Sequence, residues 1–336
     1  LTKRLASPRA ASLATVAREA GVSVATVSRI VNGKTGRASV QTIARVNAAV
    51  VELGYQPNHV GRALRRRESR VVAMLAPNLD NPAMAAIAVS TEAALRAAGY
   101  VMILCDTHDR ADLQDEYLRA MRSQFVQGYV LVSAVKSAAL SDALARGEAI
   151  VFVSRRNPDG GGAYVGIDNR GAGADAADHL LARGIEDLAV IYPAQGSSST
   201  AERVDGFIER LVARGVPTER IAQASAPGLS HLQVGYDAAR ALVDGAGGTW
   251  PRGLLCVSDL MAYGAYRLAT EQGVAIPSEC LVVGIDANPL NAWIAPWLTS
   301  VHIPYRDFGA KVVEQLSSLW SGTVPDDCLL PHSLDS

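Results

Sequence analysis

The stretch Ser12–Gly33 constrains this chain more than any other. It reads Ser-Leu-Ala-Thr-Val-Ala-Arg-Glu-Ala-Gly-Val-Ser-Val-Ala-Thr-Val-Ser-Arg-Ile-Val-Asn-Gly. Ser12 can cap a first helix over Leu13–Ala20, with Leu13, Val16, Ala17 and Ala20 inward. Gly21 falls where two helices meeting at a steep angle need a residue tolerant of positive φ. Ser23 can cap a second helix running to about Asn32. Val27, Ile30 and Val31 form its buried stripe, and Ala25, Ser28, Arg29 and Asn32 its polar one, at i, i+3, i+4, i+7 spacing. A third helix follows over Val40–Leu53, with Ile43, Val46, Val50 and Leu53 on one face and Gly54 after it. The pattern is that of a helix-turn-helix whose second helix presents a polar face to a DNA major groove.

Charge supports the same direction. Residues 1–67 hold twelve Lys or Arg against two acids, while the remainder holds 20 against 31. A basic head on an acidic body places any polyanion at the head. Residues 1–11 read as a basic arm, 12–57 as the helix-turn-helix domain, 58–69 as a linker, and 70–336 as the acidic body. Tyr55-Gln56-Pro57 breaks the third helix. Asn58–Arg66 offers only Val60 and Leu64 as apolar anchors among Arg62, Arg65 and Arg66. So short a helix is unstable alone and should form only against a partner.

From Arg70 the texture changes to apolar runs alternating with helical stretches. Strand-like runs include 71–76, 100–105, 129–132, 149–153, 164–167, 188–192, 253–257 and 281–285. Helical stretches such as 83–98, 113–124, 172–183, 201–214 and 259–272 lie between them. This alternation predicts parallel sheets with helices on both faces, and some 265 residues are more than one lobe needs. The loop Asn157–Gly162 is the expected exit from the first lobe. Hydrophobic content of 49% with 19% charged suits such an α/β body. The four cysteines form no CxxC pair, and Cys105 and Cys256 sit in strand-like runs as buried free thiols. No apolar run is long enough to span a membrane, and the N-terminus lacks the apolar core of a secretory signal. A cytoplasmic location is expected.

These residues resemble the LacI/GalR family of bacterial transcription regulators. The motif Val16-Ala-Arg-Glu-Ala-Gly-Val-Ser-Val-Ala-Thr-Val-Ser-Arg-Ile-Val-Asn32 carries the resemblance, as does Glu52-Leu-Gly-Tyr-Gln-Pro-Asn58 running into Ala63-Leu64. Asn81-Pro82, Asp168-Asn169, Arg203-x-x-Gly206-Phe207, Ser258-Asp259-Leu-Met-Ala262 and Val283-Gly-Ile-Asp286 match more loosely. The resemblance implies a homodimeric, sometimes tetrameric, repressor of pseudo-palindromic double-stranded DNA sites. It also implies an all-α helix-turn-helix head and a two-lobed, periplasmic-binding-protein-like body with a small-molecule effector between the lobes. No cofactor, metal or catalytic activity is implied.

Carried over by that resemblance, Val24, Ala25, Thr26 and Arg29 face base edges. Arg29 can donate two hydrogen bonds to guanine, worth roughly 1–3 kcal/mol of discrimination. Ser28 and Asn32 hold phosphates. Asn58, Leu64 and Arg65 belong to the hinge, where paired leucines wedge into a minor-groove step. Ile43 stands where an arginine is common. The implied effector positions are Asn81, Pro82, Ser154, Ile167, Ser199, Arg203, Ser258, Asp286 and Tyr305. Arg203 and Asp286 supply a fork of donors and an acceptor suited to polyol hydroxyls or a carboxylate. Asp259 reads as a helix cap and His231 as a surface or helix-start residue. Ser154 replaces a usual Asp, Ser258 a usual Asn, Ala83-Met84 a frequent aromatic pair, and Ser230 a frequent aromatic. Only Tyr305 and Trp293 remain as aromatic walls. The effector is a sugar or sugar derivative, less flat, smaller or more polar than the family norm, or else the pocket is degenerate and the regulator ligand-independent.

Enzyme readings fit less well. Gly171-Ala-Gly-Ala-Asp-Ala176 matches the G-x-G-x-x-A of an NAD-dependent oxidoreductase, but the next acids, Glu186-Asp187, precede a strand rather than ending one. No G-x-S-x-G nucleophile elbow occurs, and the six histidines form no H-x-x-x-H pair.

Overall fold

A computed structural model describes residues 11–36, 38–55 and 69–334. The chain divides between residues 69 and 70 into two compact units.

The first unit is three helices, α1 (Leu13–Glu19), α2 (Val24–Val31) and α3 (Val40–Glu52). Each begins on the same device. Ser12, Ser23 and Ser39 accept from the backbone N–H of Thr15, Thr26 and Thr42, and each pair of hydroxyls also bonds. Such a cap is worth about 1 kcal/mol, which matters for helices this short. Gly21 makes the α1–α2 turn at φ +62°. Val16, Ala17, Ala20, Val27, Ile30, Val46 and Ala49 form the core, and Tyr55 closes it. The predicted Ile43, Val50 and Leu53 pack only partly buried at its edge.

The second unit holds two parallel sheets. One has strand order β11-β5-β4-β3-β1-β2, and the other β10-β9-β8-β6-β7. The first sheet is built from β1 (Val71–Ala76), β2 (Val101–Asp106), β3 (Gly128–Val132), β4 (Ile150–Val153), β5 (Ala163–Ile167) and β11 (Cys328–Leu330). The second is built from β6 (Leu188–Pro193), β7 (Ile221–Ala226), β8 (Gly253–Cys256), β9 (Leu281–Asp286) and β10 (Thr299–His302). The helices between them are α4 (Pro82–Ala97), α5 (Ala111–Ser123), α6 (Ala138–Ala145), α7 (Asn169–Leu181), α8 (Ser198–Ala213), α9 (His231–Gly245), α10 (Asp259–Glu271), α11 (Asn291–Ile294) and α12 (Tyr305–Trp320). The central strands are buried on both faces, which is why they read as unbroken apolar runs.

The chain does not leave the first lobe at Asn157–Gly162. After that turn β5 pairs in parallel with β4, and the crossing comes at Asp168, which caps α7 by accepting from the Gly171 N–H. A second crossing follows β10, since α12 packs against α4, β4 and β5 of the first lobe. A third follows β11, where Ser333 and His302 exchange backbone hydrogen bonds of 2.7 and 3.2 Å.

Gly173, in the motif that resembles a dinucleotide fingerprint, has a packing reason that it shares with Gly206 of the facing helix. A Cβ on Gly173 would lie 2.1 Å from the Arg203 carbonyl oxygen, and one on Gly206 would lie 2.1 Å from that of Arg170. They let α7 and α8 touch backbone to backbone, and that contact sets the position of Arg203.

Candidate functional site

In the first unit the stripe predicted on α2 is the exposed one. Val24 is 46% exposed; Ala25, Arg29 and Asn32 are exposed and Ser28 half-buried. Arg29 returns its Nε to the Ala25 carbonyl at 3.3 Å, and Asn32 donates Nδ2 to the Ser28 carbonyl at 2.5 Å. Thr26 is committed to the Ser23 cap, so its hydroxyl serves the helix start. Asn58, Leu64 and Arg65 lie outside the described residues.

In the second unit an open cleft with a cavity volume of about 80 Å³ lies between the lobes. Asn81, Ser154, Ser199, Arg203, Ser258, Asp286 and Tyr305 line it together, drawn from both lobes. Pro82 lines instead a neighbouring cavity of about 440 Å³. Ile167 lines neither; it ends β5 inside the apolar core. Trp293 is 84% exposed and lines neither.

Helix starts place most of these groups. Asn81 caps α4 by accepting from the Ala83 N–H, which turns its amide nitrogen elsewhere. Ser199 lies in the first turn of α8, and Ser258 is the N-cap residue of α10. Ser154 follows β4 at φ +66° and Asp286 ends β9 at φ +135°, conformations that non-glycine residues adopt at a cost and that cluster at functional sites. Arg203 is only 8% exposed. Its Nε donates to Asn169 Oδ1 at 2.9 Å and its Nη1 to the Val257 carbonyl at 2.8 Å, so two of its three nitrogens are anchored. Tyr305 donates its hydroxyl to Asp286 Oδ1 at 2.5 Å.

Asp259 does not cap α10. Its carboxylate accepts from the Ser300 hydroxyl, the Asn288 N–H and the Asn291 amide, fastening the loop after β9. Burial raises its pKa against these donors. Asp286 is pushed up to about 7 by burial and by the charge of Asp259, opposed by Arg203 and the Tyr305 hydroxyl.

His231 is the residue that the sequence undervalues. It is the first residue of α9 and lines the cavity, with Nδ1 2.9 Å from Ser258 Oγ. Burial, then the charges of Arg155 and Arg203, push its pKa down to about 4, so the imidazole is neutral at neutral pH and offers one donor and one acceptor. Arg155 and Asp109 also line the cavity and pair bidentately at 2.9 and 3.2 Å. The site is therefore nearly charge-balanced, rich in hydroxyls and amides, and poor in aromatic walls. Among the described residues no group of three His, Cys, Asp or Glu could hold a metal ion, and no helix is long and apolar enough to cross a membrane.

The described geometry has relatives. The family model of bacterial regulatory proteins of the lacI family matches residues 12–58, and a periplasmic binding protein-like domain matches residues 177–332. A ribose operon repressor of Halalkalibacterium halodurans is 30% identical over 88% of this chain and 86% of its own length. The chain belongs to the lacI family. It is thus a DNA-binding transcriptional regulator under small-molecule control. Among solved structures, a lac repressor dimer bound to operator and an anti-inducer superposes with a TM-score of 0.86 at 23% identity, over 98% of both chains. That likeness shows the fold. The transcriptional regulator CelR in complex with cellobiose superposes with a TM-score of 0.69 at 28% identity, over 97% of this chain and 98% of its own.

Proposed function

We propose that this lacI-family member is a homodimeric repressor acting in the cytoplasm on a pseudo-palindromic operator, with a sugar or sugar derivative as effector and no enzymatic activity. The observation that carries the effector reading is the convergence of Arg203 and Asp286 on one charge-balanced cavity between the lobes. A guanidinium with one nitrogen left over and a carboxyl opposite suit neighbouring hydroxyls. Asn81, Ser154, Ser199, Ser258 and Tyr305 complete the contact set, and His231 joins it. Two relatives add weight: one is named for a ribose operon and one is bound to cellobiose.

At the other end, Val24 and Ala25 make apolar contact with base edges, Arg29 reads a guanine, and Ser28 and Asn32 hold phosphates. Asn58, Leu64 and Arg65 act in the linker 58–69, between a reader over 12–57 and a controller over 70–336. The second copy seats on the apolar patch of α11 and its flank, where Leu290, Trp293 and Ile294 are all at least half exposed. Effector in the cleft alters the angle between lobes and so the spacing of the paired linkers. That coupling is reciprocal, so operator DNA changes effector affinity by the same factor.

A thermal-shift screen of sugars, sugar acids and nucleobases tests the reading, followed by gel shifts on palindromes with each hit. A sugar that raises the melting temperature and moves the gel shift supports it. The small cavity of about 80 Å³ favours a second reading, a ligand-independent regulator with a degenerate pocket; a flat screen with intact DNA binding would select that one.

A further inference from the structure

Arg203 is held by a relay of side chains that leads away from the cleft. Its Nε donates to Asn169 Oδ1 at 2.9 Å, and Asn169 donates Nδ2 to Glu202 Oε2 at 3.0 Å. The other oxygen of Glu202 accepts from Arg156 Nε at 3.3 Å. Glu202 lies on α8 of the second lobe, and Arg156 lies between β4 and β5 of the first. We infer that Glu202 is a positioning residue with two duties: it latches the first lobe through Arg156, and through Asn169 it sets the guanidinium of Arg203. The lobe angle and the setting of that arginine then depend on one carboxylate.

Polarity is the first ground. A guanidinium only donates and a carboxylate only accepts. Asn169 is buried between the two, with one acceptor and one donor group to offer. Its amide therefore faces one way, Oδ1 to Arg203 and Nδ2 to Glu202. Without the carboxylate a buried donor would lose its acceptor, which is costly, and Asn169 would no longer be fixed against Arg203.

The second ground is where Arg156 is tied. Its guanidinium lies 4.3 Å from the ring centroid of Tyr164 on β5, and its Nη1 donates to Asp327, the residue before β11. Both partners belong to the first sheet or its approach. Across the lobes it meets Glu202, and its backbone N–H donates to Ser198 Oγ at 2.9 Å, in the first turn of α8. The side chain is thus fastened on the first-lobe side, and a change of lobe angle falls on the contact with Glu202.

Exposure is the third. Arg156 and Glu202 are both partly exposed, and an ion pair so placed adds little to stability. What the pair fixes is geometry. A ligand that draws on Arg203 pulls, by way of Asn169, on the carboxylate that holds the lobes, and a packed chain of polar contacts of this kind can carry coupling.

This inference rests on the reading of Arg203 as an effector contact. Both readouts dispense with a ligand, so a flat sugar screen and a failed latch are told apart. Arg156→Met, Arg156→Lys and Glu202→Gln are compared with wild type in the full chain, each first checked for an unchanged melting temperature. Nitroxides on Ala120→Cys and Ala241→Cys, exposed positions on α5 and α9, report the distance between lobes by double electron–electron resonance. The half-buried Cys328 is replaced by Ser, the other three cysteines being buried, and labelled chain is diluted with unlabelled. The Nε–H nuclear magnetic resonance of Arg203, assigned by its loss in Arg203→Lys, reports the relay. The expected result is a broader distance distribution in Arg156→Met and in Glu202→Gln. In the same two variants the Arg203 resonance shifts, although Asn169 and Glu202 stand between Arg156 and Arg203. Arg156→Lys, which keeps the charge, returns both readouts toward wild type. A purely structural Glu202 would leave the Arg203 resonance in place. An unchanged distance distribution or an unmoved Arg203 resonance, in either Arg156→Met or Glu202→Gln, overturns the inference.

Discussion

Nδ1 of His231 lies 2.9 Å from Oγ of Ser258, joining the first residue of α9 to the cap position of α10 at the cavity wall. The pair gives the second lobe a hydroxyl and an imidazole on one side of the ligand space. Removing the ring leaves Ser258 without its partner and opens a polar hole. His231→Ala is expected to weaken effector binding about tenfold or more, as loss of a buried hydrogen-bonding group does. Calorimetry with a screen hit checks this, and unchanged affinity would remove His231 from the site.

The same imidazole makes stability depend on pH. Its folded pKa of about 4 lies below the ordinary value, so the unfolded chain binds more protons between the two. Stability from this group is complete above pH about 6.5 and declines as pH falls toward about 4. His231→Gln should flatten that part of the melting-temperature profile.

Asp286 contributes the opposite slope. Its folded pKa of about 7 lies above the ordinary carboxylate value, so here the folded chain holds the proton more tightly. Stability from this group is full below pH about 4 and declines as pH rises through about 7. Asp286→Asn should therefore lose the decline on that side while His231→Gln loses the one on the other. Melting curves of both variants from pH 4 to 8 on the order of half-unit steps separate the two contributions. An Asp286→Asn profile parallel to wild type would contradict the assignment.

Arg29 is exposed on α2, so its loss should not unfold the head. Arg29→Ala is expected to stay within about 0.5 kcal/mol of wild type in stability. It should relax base preference at one operator position by roughly 1–3 kcal/mol. Selection of bound sequences from a random palindrome pool reads this directly, and an unaltered base profile would place Arg29 off the base edges.

Gly173→Ala tests how α7 and α8 hold the site. The new methyl would sit 2.1 Å from the Arg203 carbonyl, forcing the helices apart. A cost of about 1–3 kcal/mol is expected, as for other overpacked contacts, seen as a lower urea midpoint. Because Arg203 moves with its carbonyl, effector affinity should fall as well. A variant of full stability would show that the contact relaxes freely.

Local features of the chain were legible in proportion to how local their causes are. The three head helices start where their Ser caps stand, and eight of the eleven described body strands lie close to the apolar runs, because caps and burial leave marks in adjacent residues; the edge strands β7, β10 and β11, which are only partly buried, carry no such run. The exit from the first lobe was not legible. Asn157–Gly162 carries the composition of a turn, and composition does not say that β5 will rejoin the same sheet. Asp259 looked like a cap, yet its donors come from Asn288, Asn291 and Ser300, some thirty to forty positions away. His231 acquires its role from Ser258 and from Arg155 of the other lobe. Ile167 and Trp293 were misplaced for the same reason, since their surroundings are set by packing rather than by neighbours in sequence.

The three crossings between lobes also bear on how the molecule is made. Strand β5 stays without its β11 neighbour until residues 328–330 have been synthesised, after the whole second sheet. Helix α12, which packs on α4, likewise emerges only after β10. On the ribosome the first lobe must wait, with β5 as an open edge, while the five-stranded sheet of a lobe begun later is completed before it.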